Sequence, residues 1–186
     1  EGTPAFQEVE DSNSRYFRDL RVVLVEVGRR HAESMDEFYP AVNGRRAWGY
    51  LWAVTLPCQE CGRRFPLVGS YHLRLPSIKR ATRKHPEYRD PGQSFYIEVD
   101  HAQGTFQAVV HDGPPRRTPT LANALVEGRK IAGKSATCPF CEHVHPVATH
   151  RRLANEGLGA DQVLVAADHD DLVGKTYRSL LPVERQ

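Results

Sequence analysis

All four cysteines of this chain fall in two short, nearly matching stretches, Cys58-Gln59-Glu60-Cys61-Gly62 and Cys138-Pro139-Phe140-Cys141-Glu142. A Cys-x-x-Cys pair in a tight turn aims two thiolates at one point. Two such turns complete a tetrahedral four-thiolate site, the ligand set of a structural zinc ion. Each pair follows a run that reads as a strand, and an apolar residue and a proline come soon after it, Phe65-Pro66 in one case and Val144-His145-Pro146 in the other. Cys58, Cys61, Cys138 and Cys141 are therefore the expected ligands of one structural Zn2+. His143 and His145 are also metal-binding types, but four thiolates already complete the coordination. They are expected simply as alternate residues on a strand leaving the second turn.

The two pairs lie far apart in the chain. Zinc ribbons typically place about 15–20 residues between pairs, whereas here everything from Gly62 to Thr137 intervenes. Closing a longer loop costs only about 0.6 kcal/mol per doubling of its length. A structural zinc contributes roughly 10–16 kcal/mol in apparent terms. The metal term dominates, so one site closed across an inserted subdomain is expected. Two other uses of cysteine fit less well. A disulfide framework belongs to exported chains, and no stretch here reads as a signal peptide. A redox pair needs a helix start within a βαβ unit, whereas Cys61 is followed by Gly62-Arg63-Arg64-Phe65-Pro66, which suits a turn leading into a strand.

These pairs must be held by the elements around them. Phe17, Leu20, Leu24, Val27, His31, Met35 and Phe38 recur at helical spacing, which predicts a long amphipathic helix. Asp11, Ser12 and Ser14 offer its start cap and Pro40 its end. Val22, Val23 and Val25 widen the stripe, so the helix is expected to pack on more than one neighbour, with His31 partly buried. Residues 1–14 read as a polar lead-in. The aromatic and β-branched run 48–56 predicts a strand into the first pair, and 65–75 its hairpin partner. Residues 94–99 and 105–110 alternate and predict a second hairpin. Thr118-Pro119 is expected to open a short helix through Leu121, Ala124, Leu125 and Val126, ended by Gly128. A brief strand over 144–147, a helix over 149–156 stopped by Gly157, and strands over 162–167 and 175–181 complete the reading.

At 186 residues, with 40% hydrophobic and 26% charged residues, the chain can bury a core of its own. No apolar run approaches the roughly 20 residues that span a bilayer, so no membrane partner is expected, and paired cysteines without an export signal suggest the cytoplasm. The net charge of +2 is too small to imply nucleic-acid binding by itself. Locally the balance differs: Arg74, Lys79, Arg80, Arg83, Lys84 and Arg89 face Glu87 alone, with Tyr71 and Tyr88 alongside. Cations clustered beside aromatics can hold a nucleic-acid backbone, and Arg74, Lys79, Arg80, Arg83 and Lys84 are the candidate phosphate contacts; a solvated loop with a chance charge run is the alternative. The sequence contains no glycine-rich phosphate loop, nucleophile elbow or paired catalytic carboxylates, so no catalytic residue is assigned. The start Glu1-Gly2-Thr3-Pro4, with Met35 as the only methionine, reads as a piece of something longer.

Several segments in order carry a family likeness. They are Glu37-Phe38-Tyr39-Pro40, Gly49-Tyr50-Leu51-Trp52-Ala53, Leu56-Pro57-Cys58 through Cys61, Pro66-Leu67-Val68, Ala136-Thr137-Cys138-Pro139-Phe140-Cys141, and Gly157-Leu158-Gly159-Ala160-Asp161-Gln162-Val163-Leu164-Val165, ending at Gly174-Lys175-Thr176-Tyr177-Arg178. From about Phe17 onward the chain resembles the zinc-ribbon segment of bacterial and archaeal adenine-specific DNA methylases. The resemblance implies a segment lying between a cofactor-binding glycine motif and an Asp-Pro-Pro-Tyr catalytic motif. Neither is present here; the only Asp-Pro is Asp90-Pro91, followed by Gly92-Gln93. Only the zinc ligands carry over, and S-adenosylmethionine would be bound by a parent enzyme and not by this chain.

The expected fold is α+β, with a long N-terminal helix and a four-cysteine zinc ribbon elaborated by antiparallel β hairpins. Its expected segments are a lead-in and helix over 1–45, a zinc-ribbon domain with an inserted β subdomain over 46–150, and a C-terminal helix and strands over 151–186. The resemblance implies an accessory module of an adenine-specific DNA methyltransferase, in a restriction or anti-phage setting, with DNA and a methyltransferase domain as partners. The rival expectation is a zinc-stabilised protein-interaction module without DNA contact.

Overall fold

The structure is a computed structural model and describes residues 5–36, 39, 41, 47–81, 83, 86–123, 125–126, 129–130, 134–170 and 173–185. The chain divides into two units, Glu1–Arg46 and Ala47–Gln186.

The first unit is built on helix α1 (Ala5–Ser34). It begins well before the expected cap at Asp11 to Ser14, since no proline or glycine lies between Ala5 and Arg15 to break it. Arg29 bridges Glu26 at 2.7 Å and Glu33 at 2.6 Å, pairs one helical turn apart. The Ser34 hydroxyl donates to the His31 carbonyl in the last turn. Contrary to expectation, Phe17, Leu20, Leu24 and Val27 are exposed, as are Val22, Val23 and Val25. His31 is exposed too, so it is not a core histidine. Phe38 and Pro40 lie outside the described residues.

The second unit holds the remaining elements. Strand β1 (Gly49–Pro57) runs into the first cysteine pair and β2 (Arg64–Pro66) leaves it. Then come β3 (His72–Arg74), β4 (Ser77–Lys79) and β5 (Tyr88–Asp90). The long hairpin follows as β6 (Gln93–Asp100) and β7 (Thr105–Asp112), paired in unbroken register from Gln93↔Asp112 to Asp100↔Thr105. Short strands β8 (Leu121–Ala122), β9 (Leu125–Val126), β10 (Arg129–Lys130) and β11 (Ser135–Thr137) lead to the second cysteine pair. Strand β12 (Val144–His145), helix α2 (Val147–Asn155), β13 (Ala160–Asp170), β14 (Gly174–Ser179) and a 3-10 turn (Pro182–Glu184) complete the chain. Gly157, at φ +75°, follows α2 as the sequence predicts. No helix of the described residues is long and apolar enough to cross a membrane.

Among the described residues every strand pairing is antiparallel. One sheet has the order β14-β13-β1-β2, a second β3-β6-β7 and a third β12-β11-β8. Strands β13 and β14 thus share a sheet with β1 from the other end of the unit. Phe95, Ile97 and Ala108 of the long hairpin form one buried cluster with Leu164, Val165, Val68 and Tyr71. The remaining expectations need two corrections. Residues 65–75 are not one hairpin partner: β2 pairs with β1, while β3 pairs with β6. The helix expected over 121–126 is replaced by β8 and β9; Ala124 and Gly128 lie outside the described residues. The override is tertiary. The buried Thr120 hydroxyl accepts from the Val68 amide at 2.8 Å and donates to the Pro66 carbonyl at 2.6 Å, and Ala122 pairs with Ser135.

Candidate metal centre

The two cysteine turns are built alike. In the first, Gly62 N–H donates to Cys58 O and Cys58 N–H to Arg63 O, each at 2.9 Å. In the second, Glu142 N–H donates to Cys138 O and Cys138 N–H to His143 O, again at 2.9 Å. Each turn closes on a residue in the left-handed region, Gly62 at φ +72° and Glu142 at φ +61°. The flanking strands pair in the same register, Leu56↔Phe65 beside one turn and Ala136↔His145 beside the other. The two turns are therefore two copies of one device.

Folding brings the copies together. Cys58 Sγ lies 3.6 Å from Cys141 Sγ, and Cys61 Sγ 3.8 Å from Cys138 Sγ. All four sulfurs are within 4.8 Å of one another. A tetrahedral ion with metal–sulfur bonds of about 2.3 Å requires sulfurs about 3.8 Å apart, so the spacing fits a zinc-sized tetrathiolate. A disulfide would need about 2.05 Å, and all four cysteines are free. Four thiolates leave no open coordination position, which is the arrangement of a structural rather than a catalytic metal.

Electrostatics point the same way. Burial pushes the Cys138 thiol up despite hydrogen bonds from the Phe140 and Cys141 backbone, and burial likewise raises Cys141. Burial also works on Cys61, but the Arg63 backbone hydrogen bond and the neighbouring cysteines outweigh it and lower that thiol. A divalent metal coordinated by thiols such as these would displace their protons outright. Cys58 and Cys138 sit in a small apolar core with Phe65, Ala136 and Phe140, Cys61 packs against it half-buried, and Cys141 is exposed. Val99 and Phe106 pack against both this core and the hairpin core. Arg63 lies over the Phe140 ring at 5.3 Å and donates to the His101 carbonyl at 2.9 Å, tying the first turn to the second and to the β6–β7 turn.

Comparison with protein-family models, curated proteins and solved structures gives no match. The site is read from its own geometry.

The candidate phosphate contacts separate. Arg80 and Arg83 are exposed, on the segment between β4 and β5. Lys79 ends β4, and Lys84 lies outside the described residues. Arg74 is engaged: its Nη2 donates to Asp90 Oδ1 at 2.8 Å, and Nη1 donates to the Lys175 carbonyl at 2.8 Å. One residue at the centre, expected from sequence only as a strand residue leaving the second turn, is placed against a cysteine sulfur. His145 is 1% exposed, with Nε2 3.3 Å from Cys58 Sγ. The signal was present: His145 stands at the same offset from Cys138 as Phe65 from Cys58, and the two rings stack, centroids 5.5 Å apart.

Proposed function

We propose that this chain is a zinc-stabilised module that faces DNA as an accessory segment of an adenine-specific DNA methyltransferase, with catalysis carried by other parts of that enzyme. Zinc holds the two turns together and, through them, the sheets that the intervening chain builds. The observation that carries the metal part of this reading is the convergence of four sulfurs from two distant turns. The DNA part is supported by exposed Arg80 and Arg83 between β4 and β5, and the methyltransferase context by the ordered likeness of the segments given above. Arg74, committed to Asp90, belongs to the fold in this reading, so Lys79, Arg80, Arg83 and Lys84 remain as phosphate contacts.

Two measurements test it. Metal analysis should return one zinc per chain, and chelation should unfold the second unit, because binding and folding of a structural site are coupled. Absence of zinc, or a Cys138→Ser chain as stable as the parent, would remove the metal reading. Duplex DNA affinity measured against salt should fall with a log–log slope of about −0.9 per phosphate contact. Replacing Arg80 and Arg83 together should lower that slope by about two units, evenly across sequences.

A second reading has its own observation. Trp48, just before β1, is 67% exposed, and Trp52 and Val54 on β1 are 55% and 42% exposed, an apolar surface suited to a protein partner. A zinc-loaded chain that binds no DNA at low salt would favour this interaction module.

A further inference from the structure

The two halves of the centre differ at one position. Phe65 and His145 occupy matching sites beside the two cysteine turns and stack with planes 24° apart. Phenylalanine cannot donate a hydrogen bond; the imidazole can. His145 Nε2 lies 3.3 Å from Cys58 Sγ, within reach of an N–H···S bond. Its other nitrogen, Nδ1, is buried with no partner among the described residues. A neutral ring with its proton on Nε2 satisfies the one contact available. Around the ring are Phe65 on one face and His143, whose centroid is 4.7 Å away at 72°. Packing therefore holds the donor against the sulfur with almost no solvent access.

We propose that His145 is a positioning residue for the metal centre, donating Nε2–H to the metal-bound Cys58 thiolate. The proposal rests on the zinc reading above. A donor at a metal-bound thiolate stabilises its charge in a buried site and orients the sulfur toward the ion. Cys138, the other buried ligand, takes backbone hydrogen bonds from Phe140 and Cys141, and its matching neighbour Phe65 offers no donor. The centre is thus asymmetric in its hydrogen bonding although its turns are alike. Loss of such a partner typically weakens metal binding by about 10–100-fold.

The test uses the full chain loaded with zinc or cobalt. His145→Phe reproduces the residue already tolerated at the matching site and removes only the donor. It should weaken zinc at least about 10-fold in competition with a chromophoric chelator. It should also move the sulfur-to-cobalt charge-transfer band to longer wavelength, since an unbonded thiolate releases charge more readily. His145→Gln places an amide N–H near the same sulfur and should keep the parent band and affinity within a few-fold. If His145→Phe matches the parent in both measurements, or His145→Gln shifts the band as far as His145→Phe, the proposal is overturned. Should His145→Phe fail to fold, the glutamine variant decides: a parent-like band supports the donor and a shifted one refutes it. A parent chain that takes up neither metal removes the zinc reading itself, and this role with it.

Discussion

At the level of single residues, the two cysteine turns make an internal comparison. Position for position they share their hydrogen bonds, and both close with a left-handed residue. One uses glycine, Gly62 at φ +72°; the other uses glutamate, Glu142 at φ +61°. A side chain in this region is disfavoured, because its Cβ crowds the following carbonyl. Glu142→Gly should therefore stabilise the zinc-loaded chain by about 0.5–1 kcal/mol after the entropy of the extra glycine is counted. Denaturant unfolding reads this directly; an unchanged or lower midpoint would show that Glu142 is not strained. Gly62→Glu should destabilise by a similar amount.

Among the elements, the β4–β5 pair is tied to the rest of the second unit through Arg74 and Asp90. The Asp90 side chain is fully buried and that of Arg74 is 18% exposed. Asp90 Oδ1 also accepts the Gly92 amide at 2.9 Å. Removing one partner of a buried, hydrogen-bonded ion pair typically costs about 3–5 kcal/mol. Arg74→Ala should destabilise on that scale, whereas Arg80→Ala and Arg83→Ala should stay within about 0.5 kcal/mol of the parent. Urea unfolding separates the cases, and an Arg74→Ala chain of parental stability would mean that the pair contributes little. Much of this was hidden from sequence. Residues 74 to 89 read as one basic patch because charge counts carry no information on which cation has a buried acid opposite it. Residues 65–75 read as one strand because period-two alternation says which face is buried and not which partner is joined.

Across the whole molecule, the C-terminus is locked by a polar cluster that spans the β14-β13-β1 sheet. Arg178 donates to Glu184 at 2.6 and 2.8 Å and to Asp168 at 2.9 Å, and Tyr50 donates to Glu184 at 3.0 Å. The Arg178 guanidinium holds the Glu184 carboxyl down at about 2. A carboxylate depressed on folding contributes stability that is complete above its ordinary value and is lost as pH falls through the folded value. The contribution is on the order of 2–3 kcal/mol, present above about pH 5 and gone near pH 2. A zinc ion held by the four cysteines would also be released in acid, so the comparison must be with Glu184→Gln. The parent's advantage over that variant should shrink steadily across this window. Parallel stability curves for the two chains would refute the assignment.

The two cysteine turns that build the cluster were legible in the sequence because a Cys-x-x-Cys turn is a local object whose geometry follows from four or five consecutive residues. The β6–β7 hairpin and α2 with Gly157 were legible for the same reason, each resting on short-range periodicity and turn chemistry. Tertiary structure alone decided the rest. It replaced a plausible short helix at 121–126 with strands, through Thr120 and the pairing with Ser135. It buried Asp90 against Arg74 and so withdrew one cation from the basic stretch. It also set His145 against Cys58. Each of these outcomes joins residues far apart in the chain, and their free energies come from burial and hydrogen bonds that exist only once the sheets have met.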